Sequence, residues 1–418
     1  MAAATLSVFP EHAAVEDGRL SVGGCDAVAL AREHGTPAYV VAEDDLRARA
    51  REARAALAAA HDGPGDVLFA SKAFPCSAAL RLFAEEGLGC DVASGGELHL
   101  ALRAGFDPAR LYLHGNAKSV RELAEALDAG VGTVVVDGPG DVERLEALLA
   151  ARGATQRVLV RVAPELRADT HPSIATAHDS KFGVPFADAP AVVARLAASE
   201  RIELAGLHMH VGSQLLDVAP LRAGAAALAT LGRFGVYDLG GGLGVPYTGA
   251  ERPPTVADWA RACAEAVREH VGPGRTLVLE PGRALVAAAG VTLYAVETVK
   301  RALRTWVAVD GGMSDNLRPM LYGARHAVFA ADRVGAAGEP CTVVGKHCES
   351  GDVLAHDAEL PSPQPGDVLV MAVTGAYGHA MANNYNGVPR PPVVFCARGR
   401  SRAVVRRETY DDLTARDA

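Results

Sequence analysis

The chain has 418 residues, 49% of them apolar, and a formal net charge of −9; that length predicts two domains, or one large barrel with a smaller partner. No run of Lys and Arg offers a phosphate footprint, which argues against a nucleic-acid partner, and no apolar run is long enough to span a bilayer. The N-terminus shows no signal-peptide pattern, and seven cysteines (25, 76, 90, 263, 341, 348, 396) lack paired spacing, so a reducing, cytoplasmic setting with free thiols is expected.

In chain order, Leu20–Val22 is a weak strand signal. Short β-type runs then start at 67, 89, 111 and 133, always 22 residues apart (Val67–Ser71, Gly89–Ala93, Leu111–Gly115, Thr133–Asp137). Between them lie helical stretches such as Ser77–Glu86 and Val120–Ala129, with apolar residues at helical spacing. Further runs follow at Val158–Val162, Leu204–Val211, Val236–Gly242 and Thr276–Glu280. Eight strands alternating with helices match a (β/α)8 TIM-type barrel over residues 36–285; an open doubly wound sheet shares the local pattern, and the count of eight favours the barrel. From 286 onward the runs Gly290–Val299, Trp306–Val309, Cys341–Val344, Asp367–Val373 and Pro392–Ala397 lack good helices between them. They predict an all-β sandwich or barrel-like domain, with residues 1–35 as its other part.

In such a barrel the active site collects at the C-terminal ends of the strands. The first strand ends in Ser71-Lys72-Ala73; a lysine there sits at the rim of a dry pocket, where a neutral amine can attack a carbonyl. Alone, Lys72 reads better as a snorkelling surface lysine. The second strand ends in Asp91-Val92-Ala93, the third in His114-Gly115-Asn116 and the fifth at Arg161. The sixth ends in His208-Met209-His210-Val211-Gly212-Ser213. The two histidines are expected to point to opposite faces, with one turned inward to stack on a flat ring. The seventh runs into Asp238-Leu239-Gly240-Gly241-Gly242, whose glycines leave room for a phosphate against backbone N–H groups. No acidic residue follows at the distance a dinucleotide site needs. The eighth ends in Glu280-Pro281-Gly282-Arg283; a carboxylate there can hold a protonated ring nitrogen, or pair with Arg283 to close the barrel. No metal site is expected. An amine, a stacking ring, a phosphate cradle and an acid around one pocket are what pyridoxal 5'-phosphate requires.

These motifs resemble, in order and over about residues 35–412, the barrel class of pyridoxal-phosphate-dependent decarboxylases, which includes ornithine and diaminopimelate decarboxylases. The resemblance implies that Lys72 carries the cofactor, that His210 stacks on its ring, and that Ser213 with Gly240, Gly241 and Gly242 binds its phosphate. It also implies that Glu280 meets the pyridine nitrogen and that Asp91 belongs to the same cofactor site. In the second domain, Asp310-Gly311-Gly312-Met313-Ser314-Asp315-Asn316-Leu317-Arg318-Pro319, Leu321-Tyr322-Gly323, Cys348-Glu349-Ser350-Gly351-Asp352 and Gly375-Ala376-Tyr377-Gly378 are similar to the diaminopimelate-specific branch. By that resemblance Arg283, Arg318 and Tyr322 hold the distal end of the substrate, Glu349 its distal ammonium, and Tyr377 the cofactor phosphate and substrate. Cys348 faces the reacting carbon, donated with Glu349 by the neighbouring subunit of a homodimer. The implied reaction is decarboxylation of meso-2,6-diaminopimelate to L-lysine, the last step of lysine biosynthesis. The competing readings are a relative acting on another or a carrier-bound amino acid, an amino-acid racemase, and a cofactor carrier without catalysis. Met209 and Gly378-His379 depart from the family pattern and are expected to touch the pocket.

Overall fold

The computed structural model describes residues 7–164 and 180–418. Eight parallel strands form one closed sheet: Gly65–Ala70, Gly89–Val92, Leu111–Leu113, Thr133–Val136, Gln156–Ala163, Ile202–His208, Val236–Asp238 and Thr276–Leu279. Each pairs with its neighbours in chain order, and the last returns to the first with Leu279 opposite Val67. The chain is therefore a β/α barrel, extended by a two-residue strand, Val184–Pro185, beside the fifth.

Leu68, Tyr112, Val135, Leu159, Val236 and Val278, one side chain from each of six strands, pack into a single buried cluster. Burial of such side chains is worth roughly 1.5–3 kcal/mol each. The intervening helices are bounded by local chemistry. Val120–Ala129 opens on a reciprocal capping box between Ser119 and Glu122 and stops at Gly130, whose φ of 75° suits a residue without a side chain.

Two compact units divide the chain. The barrel unit comprises residues 49–244 and 253–284; the other comprises residues up to 48, 245–252 and 285–418. Strand Ala38–Ala42, which lies inside the span read from sequence as barrel, pairs instead with Gly290–Arg301 (Val41 opposite Gly290) and with Val393–Ala397. Its five residues are all buried, and a strand buried on both faces carries no alternation to say which sheet it joins.

The second unit is a nine-stranded, mostly antiparallel sheet built from that strand and from Gly290–Arg301, Thr305–Val309, Val328–Ala330, Glu339–Val344, Val353–Leu360, Val368–Met371, Val393–Ala397 and Arg400–Val405. Tyr294, Val307, Val343, Leu354 and Leu369 lie in its core. Arg19–Val22 does form a strand, but in a separate three-stranded sheet with Ala13–Glu16 and Cys25–Asp26. Among the described residues no helix is long and apolar enough to cross a membrane.

One buried acid of this unit gives a pH-dependent prediction. Asp315 accepts hydrogen bonds from Tyr294 Oη at 3.0 Å and from the Gly312 N–H at 3.1 Å. Burial nevertheless pushes its carboxyl up from 3.8 to about 7. Within that window the folded state keeps a proton that the unfolded chain releases, so stability falls as pH rises, by up to about 4 kcal/mol. Thermal melts across pH should show this slope in the wild type and a flatter one in Asp315→Asn.

Candidate active site

At the C-terminal mouth of the barrel, register brings the strand-end polar residues together. His208 lies opposite Asp238, and Ala70 opposite Asp91. Glu280, one residue beyond the eighth strand, is the centre of the group. Its Oε1 is 2.8 Å from His114 Nε2 and its Oε2 is 3.2 Å from His208 Nε2. The two imidazoles meet edge to face at 4.8 Å, and His114 Nε2 is also 3.8 Å from Asp91 Oδ1. All of these side chains are buried.

Burial alone would push the Glu280 carboxyl up, but His114 and His208 together outweigh it and hold it well below the usual range. His114 shows the reciprocal effect: against burial, Asp91 and Glu280 raise its pKa. His208 is driven down to about 3, chiefly by burial. Asp91 is raised to about 6 by burial, against the pull of His114. The floor of the site is therefore a carboxylate held below its ordinary range, facing one imidazole whose pKa is raised and one whose pKa is lowered.

His210 also stands at this mouth. Its Nδ1 accepts the Gly241 N–H at 3.3 Å, and burial with the charges of Lys72 and Arg161 lowers its pKa well below 6.5. It presents a neutral ring. The expectation that only one of His208 and His210 faces inward is thus corrected: both reach the mouth, because residues two apart along a strand share a face. Met209, between them, points the other way. Its sulfur occupies the space a Cβ on Gly224 would need, at 2.3 Å, on the neighbouring helix Ala219–Ala229. It does not line the site. His379 packs edge-on against Tyr39 in the other unit.

The glycine run is tightly enclosed. A Cβ on Gly241 would lie 2.2 Å from the Glu280 carbonyl, and one on Gly240 would lie 2.6 Å from the Met209 carbonyl. The N–H groups of Gly240 and Gly241 are already donated, to Asp238 Oδ1 at 2.9 Å and to His210. These two glycines shape the cradle, while their own N–H groups donate to acceptors inside the protein. Ser213 Oγ is held by Arg283 at 2.7 Å.

Lys72 lies in the turn Ser71–Ala73 directly after the first strand. It is exposed rather than desolvated, yet its charge acts on both Asp91 and His210. The barrel unit thus collects Lys72, Asp91, His210, Ser213, Gly240, Gly241, Gly242, Glu280 and Arg283. Three further residues, His114, His208 and Asp238, were not singled out from sequence, although each is a polar residue at a strand end.

The remaining sequence-predicted residues lie in the second unit. Arg318 is buried, with its guanidinium 4.6 Å from the Tyr247 ring centre and 5.9 Å from that of Tyr377. Tyr322 closes the short helix Arg318–Tyr322. Cys348 and Glu349 are exposed on a loop, where the Cys348 N–H donates to Asn386 Oδ1 at 3.0 Å.

A family model described as pyridoxal-dependent decarboxylase, pyridoxal binding domain, matches residues 43–287. The chain is 47% identical over 424 residues to the diaminopimelate decarboxylase of Actinosynnema pretiosum subsp. auranticum, covering 98% of this chain and 95% of that one. It is 44% identical over 436 residues to the diaminopimelate decarboxylase of Mycobacterium tuberculosis, covering 97% of each. Among solved structures, the diaminopimelate decarboxylase of M. jannaschii in co-complex with L-lysine superposes with a TM-score of 0.91 at 33% identity, over 98% of both chains. A lysine/ornithine decarboxylase from Vibrio vulnificus shares the fold at 22% identity, with a TM-score of 0.74 over 88% of this chain and 97% of that one.

Proposed function

The chain belongs to the pyridoxal-dependent decarboxylases, and on that premise we propose that it converts meso-2,6-diaminopimelate to L-lysine and carbon dioxide. The observation that carries the chemistry is the buried, ionised Glu280 between His114 and His208 at the barrel mouth. When bound, pyridoxal phosphate supplies an electron sink for the pair left on the substrate carbon as CO2 departs.

The residues divide that task. Lys72 is the amine that holds the cofactor covalently. Glu280 keeps the ring nitrogen protonated, because a proton beside a buried carboxylate is retained. His210, neutral and fixed through Gly241, flanks the ring. Ser213, Gly242 and Tyr377 hold the phosphate in a cradle shaped by Gly240 and Gly241, and Asp91 completes the acidic floor through His114. Cys348 and Lys72 are the candidate groups to return a proton to the substrate carbon.

Substrate choice follows from charge. The non-reacting end of diaminopimelate bears a carboxylate and an ammonium, and burying either one unpaired is costly. Arg283 and Arg318 supply cations for the carboxylate, Tyr322 a hydroxyl, and Glu349 an anion for the ammonium. The exposed loop with Cys348 and Glu349 supports a homodimer in which each chain lends these residues to its partner. The scattered, unpaired thiols support a cytoplasmic setting.

The test is CO2 release from a panel of meso-diaminopimelate, L-lysine, L-ornithine and L-arginine. Turnover of the first should exceed that of the others by about a thousandfold or more, since they bring no distal carboxylate to the site assigned to Arg283 and Arg318. No turnover of meso-diaminopimelate would overturn the proposal, and turnover of another amino acid would point to a recruited relative.

A further inference from the structure

Asp238 has no role in the reading above, and its surroundings ask for one. The side chain is completely buried at the end of the seventh strand. Oδ1 accepts the Gly240 N–H at 2.9 Å. Oδ2 is buried and meets no fixed donor among the described residues. What it has for company is a cluster in which its oxygen and one polar atom each of His114, His208 and Glu280 all lie within 4.8 Å of one another.

In that cluster His208 Nδ1 is buried and makes no hydrogen bond among the described residues. His114 and His208 both turn Nε2 to Glu280. Arg161, the remaining cation whose field reaches Asp238, stands 3.8 Å from Asp137. Asp91 adds a further acid. Asp238 therefore faces the Glu280 carboxylate without a cation of its own, and two adjacent buried carboxyls do not both ionise. Glu280, with two imidazoles, keeps the charge.

We propose that Asp238 is a positioning residue that works as a neutral acid, donating its O–H to the Glu280 carboxylate while accepting the Gly240 N–H. One side chain then ties the partner of the ring nitrogen to the first glycine of the phosphate loop. The backbone repeats the link, since the Glu280 N–H donates to the Gly240 carbonyl at 2.8 Å. Burial first, and the Glu280 charge second, push the Asp238 carboxyl well above its ordinary range. The inference rests on the proposed role of Glu280.

Two substitutions separate a neutral acid from a carboxylate. Asp238→Asn offers the same pair of contacts, an oxygen for Gly240 and an N–H for Glu280; Asp238→Ala offers neither. Titrating cofactor-free protein with pyridoxal phosphate should give D238N a dissociation constant within about threefold of wild type, and D238A one about ten- to a hundredfold weaker. The KM for meso-diaminopimelate should hold in both, with kcat falling in D238A, because Asp238 acts through Glu280. Infrared spectra of cofactor-free protein at about pH 9, where ordinary carboxyls are ionised, should show a protonated-carboxyl band that D238N removes.

A D238N protein as impaired as D238A, or a wild type without that band, would overturn the inference, even if D238A does not fold. The infrared measurement uses no cofactor. A wild type that shows the band but binds no pyridoxal phosphate would count against the proposed function and leave the Asp238 proton standing.

Discussion

Lys72→Ala is expected to leave a folded protein that holds no covalent cofactor and turns over meso-diaminopimelate at least about a thousandfold more slowly. The side chain is exposed, so its removal opens no core cavity, and the melting temperature of the cofactor-free protein should hardly move. Lost activity would then be chemical. A second lysine stands after a barrel strand and has to be weighed. Lys118, beyond the third strand, is buried with Nζ 2.6 Å from both the Asp141 carboxylate and the Gly115 carbonyl. Freeing that amine would break a buried ion pair with Asp141, which Arg144 and the Asp137 N–H also hold in place. Lys72 is exposed, and its charge already acts on Asp91 and His210. Borohydride trapping followed by peptide mass spectrometry should place the adduct on Lys72 in the wild type and on no lysine in the variant. An adduct on Lys118 would sink the assignment.

The barrel could be read from sequence because its units repeat with their own punctuation. Runs starting at 67, 89, 111 and 133 anticipate strands that start at 65, 89, 111 and 133, with helices bounded by residues such as Ser119 and Gly130. Strand ends then pointed to Lys72, His210 and Glu280, because a parallel barrel sends all its C-terminal ends to one mouth. What could not be read depends on pairing between distant segments. Ala38–Ala42 is an apolar run that suits either sheet, and only its partners at Val291–Leu293 and Val393–Cys396 decide. Val328–Ala330 and Val353–Leu360 carry little strand signal for a related reason. The first is three residues long, and the second alternates irregularly across a register shift. At the site, Asp238 is visible in the sequence only as a strand-end residue ahead of Leu239 and the glycine run; its pairing with Glu280 needs the register of the seventh and eighth strands. His208 shares its strand face with His210, because side chains two apart along a strand point the same way.

Glu280→Gln is expected to lower kcat by about 10²–10³-fold while KM for meso-diaminopimelate changes little. Gln keeps the size of the side chain and removes its charge. That charge is what the ring nitrogen's proton answers to, and losing a preorganised electrostatic partner at the reacting centre has an effect of this order. Substrate affinity is proposed to reside in Arg283, Arg318, Tyr322 and Glu349, which the substitution leaves alone. The pH behaviour supplies a check that simple misfolding would not mimic. Glu280 sits well below its ordinary range in the folded protein, so its contribution to stability is complete above the unfolded value and is lost only as pH falls through the lower, folded one. Its charge also raises His114. In E280Q that support is gone, so His114 should release its proton at lower pH than in the wild type, as histidine NMR titration can show. His208, whose ring is already driven to about 3 by burial, should stay neutral in both proteins. A variant that kept wild-type kcat while His114 shifted would mean that Glu280 serves the imidazole pair and not the ring nitrogen.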